Sequence, residues 1–138
     1  MHRSILFLLM AVVVSLAGCG ESAPELYEVS GTVSVDGVPV LEGEIIFRAV
    51  DPQDRSYASR IEAGRFVFKT TPGKKRVEIT GYKENPNQGQ VADSGEEEPT
   101  MIMHVPAQYN IQSTLIETVS PDGPFQFEYN LQSQNEDG

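Results

Sequence analysis

The sequence predicts an all-β fold: a single antiparallel β-sandwich of about seven short strands, placed behind an N-terminal export segment. Three observations carry this reading. From Tyr27 onward apolar and polar residues alternate with a period of two, the pattern of a strand with one buried face. Turn-forming pairs such as Asp36-Gly37, Ala63-Gly64 and Pro72-Gly73 separate the alternating runs, at roughly ten-residue spacing. Beyond residue 26 no stretch shows amphipathic helical periodicity of useful length.

The first element is an address. Arg3 supplies a positive start, Ile5 to Val14 is unbroken apolar sequence, and Leu16-Ala17-Gly18-Cys19 follows. The run is shorter than the about 20 residues that a membrane-spanning helix needs. Leu-Ala-Gly-Cys resembles the lipobox of bacterial lipoproteins, in which the Cys becomes the mature N-terminus and carries the lipid. Residues 1–18 are then a lipoprotein signal peptide and Cys19 is the lipidation site. Cys19 is the chain's single Cys, so no internal disulfide and no multi-cysteine metal site can form. Several acyl chains on one residue anchor firmly, since each buried CH₂ contributes about 0.8 kcal/mol. The stretch 19–26, small, acidic and Pro-containing, reads as a lipidated Cys and short tether. The expected place is the bacterial cell envelope, with the outer membrane favoured over the inner, because Gly20 stands where some bacteria use Asp for inner-membrane retention.

The body, 27–131, reads as strands in order. Tyr27, Val29, Gly31, Val33 and Val35 alternate with Glu28, Ser30, Thr32 and Ser34. Asp36-Gly37 turns the chain into a brief Val38-Pro39-Val40, whose Pro belongs at a strand start or an edge. Glu44 to Ala49 is a second strand, with Ile45 and Phe47 on one face. Tyr57 to Glu62 is a polar strand suited to an edge, and Arg65 to Thr70 follows with Phe66 and Phe68 facing in. Lys74 to Tyr82 points Val77 and Ile79 inward. The stretch 83–100 holds Val91 as its one large apolar residue before Met101, and reads as an acidic mobile loop. Met101 to Val105 and Ser113 to Val119 are strands, the second without a clear facing because Leu115, Ile116 and Val119 do not share one alternation. Ser120-Pro121-Asp122-Gly123 is a turn, and Phe125, Phe127, Tyr129 and Leu131 form the inner face of a last strand before a polar tail, 132–138. Phe66, Phe68, Phe125 and Phe127 are expected in the core.

The segments VSGTVSVDGVPVLEGEIIF (29–47), EAGRFVF (62–68), TPGKKRVEIT (71–80) and VPAQYN (105–110) stand in an order that resembles the carboxypeptidase regulatory-like, or transthyretin-like, domains of small bacterial lipoproteins. The resemblance covers roughly 27–131, with the acidic loop matching poorly. Ala63-Gly64 replaces the more usual Asp-Gly, which the turn tolerates if Gly64 takes the positive-φ site. The resemblance implies an immunoglobulin-like or transthyretin-like sandwich in the envelope and brings no catalytic residues.

Charge and site chemistry narrow the function. Ten Lys and Arg face twenty Asp and Glu, a net charge of −10. Nucleic-acid binding needs the opposite surplus, so no nucleic acid is expected. His104 is the one His after the leader; a triad or zinc site needs several partners in reach, so it reads as a strand-end side chain. Asp93 to Glu98 lacks the spacing of a calcium loop and reads as a solvated acidic run. In Lys74-Lys75-Arg76, Lys74 and Arg76 share one strand face and Lys75 the other. Lys74 and Arg76 are candidate contacts for an acidic polymer or lipid headgroup, although such clusters commonly form a solvated strand start. Tyr109 reads first as a corner tyrosine, its ring packed and its hydroxyl reaching a backbone group, and second as a ligand contact. Catalytic residues, metal and cofactor are expected to be none. The expected function is a membrane-anchored, non-enzymatic binding or structural module whose partners are the membrane, through Cys19, and an envelope protein or glycan. The alternatives are a transthyretin-like small-molecule hydrolase, which would need several His and Arg, and a carbohydrate-binding module, which would want exposed aromatics in a chain with no Trp.

Overall fold

A computed structural model describes Gly20, residues 22–91 and residues 97–133. The signal segment 1–18, the lipidation site Cys19, residues 92–96 of the acidic run and the end of the tail from 134 lie outside the described residues. Nine strands follow in order: β1 (Tyr27–Val35), β2 (Val38–Pro39), β3 (Glu42–Ala49), β4 (Tyr57–Glu62), β5 (Arg65–Thr70), β6 (Gly73–Val91), β7 (Glu97–Met103), β8 (Ile116–Val119) and β9 (Gln126–Leu131). A single 3₁₀ turn, Ala107–Tyr109, precedes β8. Residues 22–26 run into β1 without regular structure and exposed.

The all-β, sandwich-like expectation holds. The strands form one curled sheet in the order β2-β1-β5-β4-β3-β6-β7, with β9 on β1 and β8 on β6. The layer β9-β1-β5 faces the layer β4-β3-β6, and the β4–β5 hairpin joins them at Glu62 and Arg65. Over most of its length β4 pairs with β3 alone, which makes it an edge of its layer. Two details differ from a purely antiparallel sandwich of seven strands. Among the described residues there are nine strands, and β9 runs parallel to β1, from Ser30↔Gln126 to Val35↔Leu131.

The core lies between the layers. Val29, Val33, Phe66, Phe127, Tyr129 and Leu131 come from one side, and Ile45, Phe47, Ile61, Val77 and Ile79 from the other. Phe66 and Phe127 are buried as expected, whereas Phe68 and Phe125 are half-buried and pack against the core from its margin. Phe125 stacks on Tyr27, ring centroids 6.0 Å apart. The facing of β8 resolves as Leu115, Glu117 and Val119 inward, with Ile116 left 53% exposed.

Ala63 overturns one local expectation. Both central residues of the β4–β5 turn have positive φ, Ala63 at 49° and Gly64 at 76°, as do Asp36 and Gly37 in the first turn. This is the I′ pattern, whose twist suits a two-residue hairpin. Gly64 therefore does not carry the positive φ alone. An L-residue in this region costs roughly 1–2 kcal/mol, part of which Gly forfeits through its looser unfolded state. Ala63→Gly is expected to stabilise the protein by about 0.5–1 kcal/mol in urea denaturation; a loss of stability would contradict the turn geometry.

The structure differs over 83–100. Instead of a loop, β6 continues to Val91 and β7 begins at Glu97, paired antiparallel with it. Pairing of β6 with β3 ends at Glu42↔Tyr82, so beyond Tyr82 the β6–β7 hairpin leaves the sandwich as a two-stranded arm. Its ladder is regular from Tyr82↔Met103 to Glu84↔Met101 and then shifts register before Gly89↔Pro99.

Candidate functional site

Strand parity dictates the first notable cluster. Lys75 shares the inward face of β6 with Val77 and Ile79, and its side chain is fully buried. The ammonium has three N–H groups and finds three acceptors. It donates to Asp54 Oδ2, to Thr71 Oγ1 at 2.8 Å and to the Arg55 carbonyl at 3.1 Å. The Tyr57 ring lies 5.7 Å from Nζ. Asp54 also accepts from the Thr71 hydroxyl at 2.5 Å and from the Arg55 N–H at 2.7 Å. Burial pushes the Asp54 carboxyl up, but the hydrogen bonds from Lys75, Thr71 and Arg55 outweigh it and hold the group below the ordinary carboxylate range. Every charge and donor here is answered from within the fold. The cluster pins the 51–56 loop to β6; it offers no open valence to a ligand.

Glu117 is the register partner of Lys75 across β6 and β8. It turns toward Tyr129, whose buried hydroxyl closes no well-formed hydrogen bond among the described residues. Burial raises the Glu117 carboxyl, with Tyr129 pulling the other way. Among the described residues no group of three His, Cys, Asp or Glu side chains is placed to hold a metal ion.

The sequence-derived candidates do not converge. Lys74 is exposed at the start of β6. Arg76 donates to Glu78 at 2.7 Å, and Arg48 grips the same carboxylate through two hydrogen bonds of 2.7 and 2.8 Å. Arg48 first, then Arg76, holds Glu78 below its usual range against the effect of burial. Tyr109 lies toward the other end of the sandwich. Its ring packs on the core, and its hydroxyl accepts the Gln132 N–H at 3.2 Å. His104 directly follows β7 and is half-buried; burial first, and Lys83 second, lower its pKa. Its imidazole makes no hydrogen bond or ion pair among the described residues.

The base of the β6–β7 arm combines a concavity with exposed apolar groups. A groove of about 610 Å³ runs between the β1–β2 turn and the arm, lined by Val38, Leu41, Tyr82, Met101 and His104 among others. Lys83 faces Asp36 across it. Asp36 is held below the ordinary carboxylate range by the Ser133 hydroxyl and N–H, with Lys83 assisting. Val38 and Leu41 are 64% and 65% exposed, and Tyr82, Met101, Ile102 and Met103 are all exposed as well. Isolated exposed apolar residues are ordinary, but here six lie around one groove and one projecting hairpin. A second, more open depression of about 960 Å³ lies where β4 splays from β5, lined by Thr32, Arg60, Arg65, Phe66, Val67 and Phe127 among others; of these Val67 is the one exposed large apolar side chain. Sequence reasoning missed the arm, because 83–91 has no alternation to signal a strand. Compared with family models, with curated proteins and with solved structures, the chain matches none.

Proposed function

We propose that the protein is a lipid-anchored module of the bacterial cell envelope, which holds a partner through the β6–β7 arm and performs no covalent chemistry. The observation that carries the binding reading is the arm itself. A hairpin that outruns its sandwich and exposes Tyr82, Met101, Ile102 and Met103 gains little stability from those side chains. Exposed clusters of this kind are characteristic of interaction sites, and the flexible Met side chain adapts to varied partners. The buried polar groups support the same reading. Lys75 and Asp54 satisfy each other, and His104 meets no carboxylate among the described residues, so neither has the nucleophile–base–orienter arrangement of a catalytic set.

The anchor half of the proposal rests on Leu16-Ala17-Gly18-Cys19 and the tether behind it. Cells fed an alkyne fatty acid should label the wild-type protein and retain it in the membrane fraction. Cys19→Ser should abolish both. An unlabelled wild type would remove the anchor from the proposal.

A further inference from the structure

We infer that the outer edge of β7 is a strand-addition site for an extended segment of a partner protein, one carrying an apolar and a basic residue two positions apart. The inference rests on the binding reading above and names the chemistry of its occupant.

Backbone register comes first. The His104 N–H donates to the Gly81 carbonyl at 3.0 Å. Those two residues flank the pair Tyr82↔Met103. In an antiparallel ladder this makes Tyr82↔Met103 a non-hydrogen-bonded pair and Lys83↔Ile102 the pair that exchanges both bonds. The N–H and C=O groups of Met101 and Met103 therefore point away from β6. β7 ends the strand order, and among the described residues these outward groups meet no partner. Two residues at i and i+2 with free backbone groups are what an added strand requires.

Side chains then set the specificity. Val77 and Ile79 face inward, so by parity Tyr82 and Glu84 face outward, and Met103 and Met101 lie beside them across the ladder. One row reads Glu42–Tyr82–Met103, the next Glu84–Met101. A strand added at β7 would place one side chain against Met103 and Tyr82, where an apolar residue fits. The side chain two positions along would lie against Met101 and toward Glu84, where Lys or Arg fits. Glu42 and Glu84 are exposed and have no ion-pair partner among the described residues. A second copy of the chain is disfavoured as occupant. It would bring another −10 of net charge onto an already acidic face.

The test uses the protein as produced, purified in detergent, and fluorescent heptapeptides on a Thr background with Val, Leu or Phe two positions before Lys or Arg. Saturable binding is expected for at least one of them. N-methylation of the peptide at its bonding positions should weaken it about tenfold, as loss of one or two strand hydrogen bonds requires. Met101→Pro should do the same while leaving the fold intact, because the deleted N–H points outward and Pro is tolerated on such an edge. Glu84→Lys should weaken the basic peptides and admit their Glu counterparts. Binding indifferent to N-methylation and to Met101→Pro would overturn the edge assignment, as would no binding by any peptide. A concentration-dependent dimer broken by Met101→Pro would overturn it in favour of a second copy. Failure of these peptides leaves the module reading standing. That reading falls separately, if the same preparation turns over a panel of esters, glycosides and cyclic ureides and one substitution abolishes the turnover.

Discussion

Asp54→Ala is expected to destabilise the protein by about 3–5 kcal/mol, the range for removing one partner of a buried ion pair. The reason is asymmetry. Lys75 is fully buried on β6, and with Asp54 gone its ammonium keeps only the Thr71 hydroxyl and the Arg55 carbonyl. Lys75→Met should cost less. Asp54 remains 18% exposed to water and retains donors from Thr71 and the Arg55 N–H. Putting both substitutions in one chain should recover much of the loss, because a buried pair replaced by apolar groups is often nearly neutral. A double-mutant cycle in urea reads the coupling directly. If Asp54→Ala loses less than about 1 kcal/mol, the pair does not hold the 51–56 loop to the sandwich.

Asp54 also shapes the acid limb of the stability curve, together with Glu78. In the folded protein Asp54 and Glu78 are both held below the ordinary carboxylate range. Their contribution is therefore fully present above the unfolded pKa and is lost as pH falls through the folded one. Glu117 has the opposite sign. Its folded pKa is raised by burial, so it favours the fold most below its unfolded value and progressively less as pH rises. Wild-type stability should fall steeply below about pH 4, and Asp54→Ala should flatten that fall.

Much of the sandwich was legible because its signals are local. β4 and β5 span the residues that alternation and the Ala63-Gly64 turn mark out, and β1 and β9 show one clean face each. The arm was not legible, because its cause is non-local. Asn85, Pro86 and Gly89 are poor strand formers, and they are extended because β7 returns alongside them. Lys75 is an intermediate case. Period-two parity already set it on the face of Val77 and Ile79, yet a basic cluster ordinarily reads as solvated. What the sequence could not reveal is that Asp54, from a loop 21 residues away in the chain, meets it there. Glu117 repeats the lesson on β8. Leu115 and Val119 share its parity, so the acid goes in and Ile116 stays out. Candidate binding residues proved hardest to read. In the sequence Lys74 and Arg76 stand out by charge, but pairing in space decides availability, and Arg76 is already engaged by Glu78. The exposed apolar edge of β7 depends on a register that only the folded ladder defines.

Phe47→Ala should be the most damaging apolar substitution, at about 3–5 kcal/mol. Phe47 is fully buried at the centre of β3 and meets the opposite layer edge-on. Its ring lies 5.1 Å from Phe68 on β5 and 5.6 Å from Phe127 on β9, at interplanar angles of 87° and 77°. Removing it therefore deletes the contact that joins β3 to two strands of the facing layer. The walls are β-strands held in register on both sides of β3, so they cannot close over the void, and the cavity penalty adds to the lost transfer energy. For a domain of this size, stable by about 5–15 kcal/mol, that is a large share of the total. Val67 provides the internal control. It lies on β5 as well, but is 58% exposed, and Val67→Ala should stay within about 0.5 kcal/mol. Phe47→Leu, which refills most of the volume, should fall between the two. Urea denaturation of the three variants decides the matter through the midpoint, provided the slope stays constant. If Phe47→Ala and Val67→Ala shift the midpoint equally, the two layers are not held together through this ring.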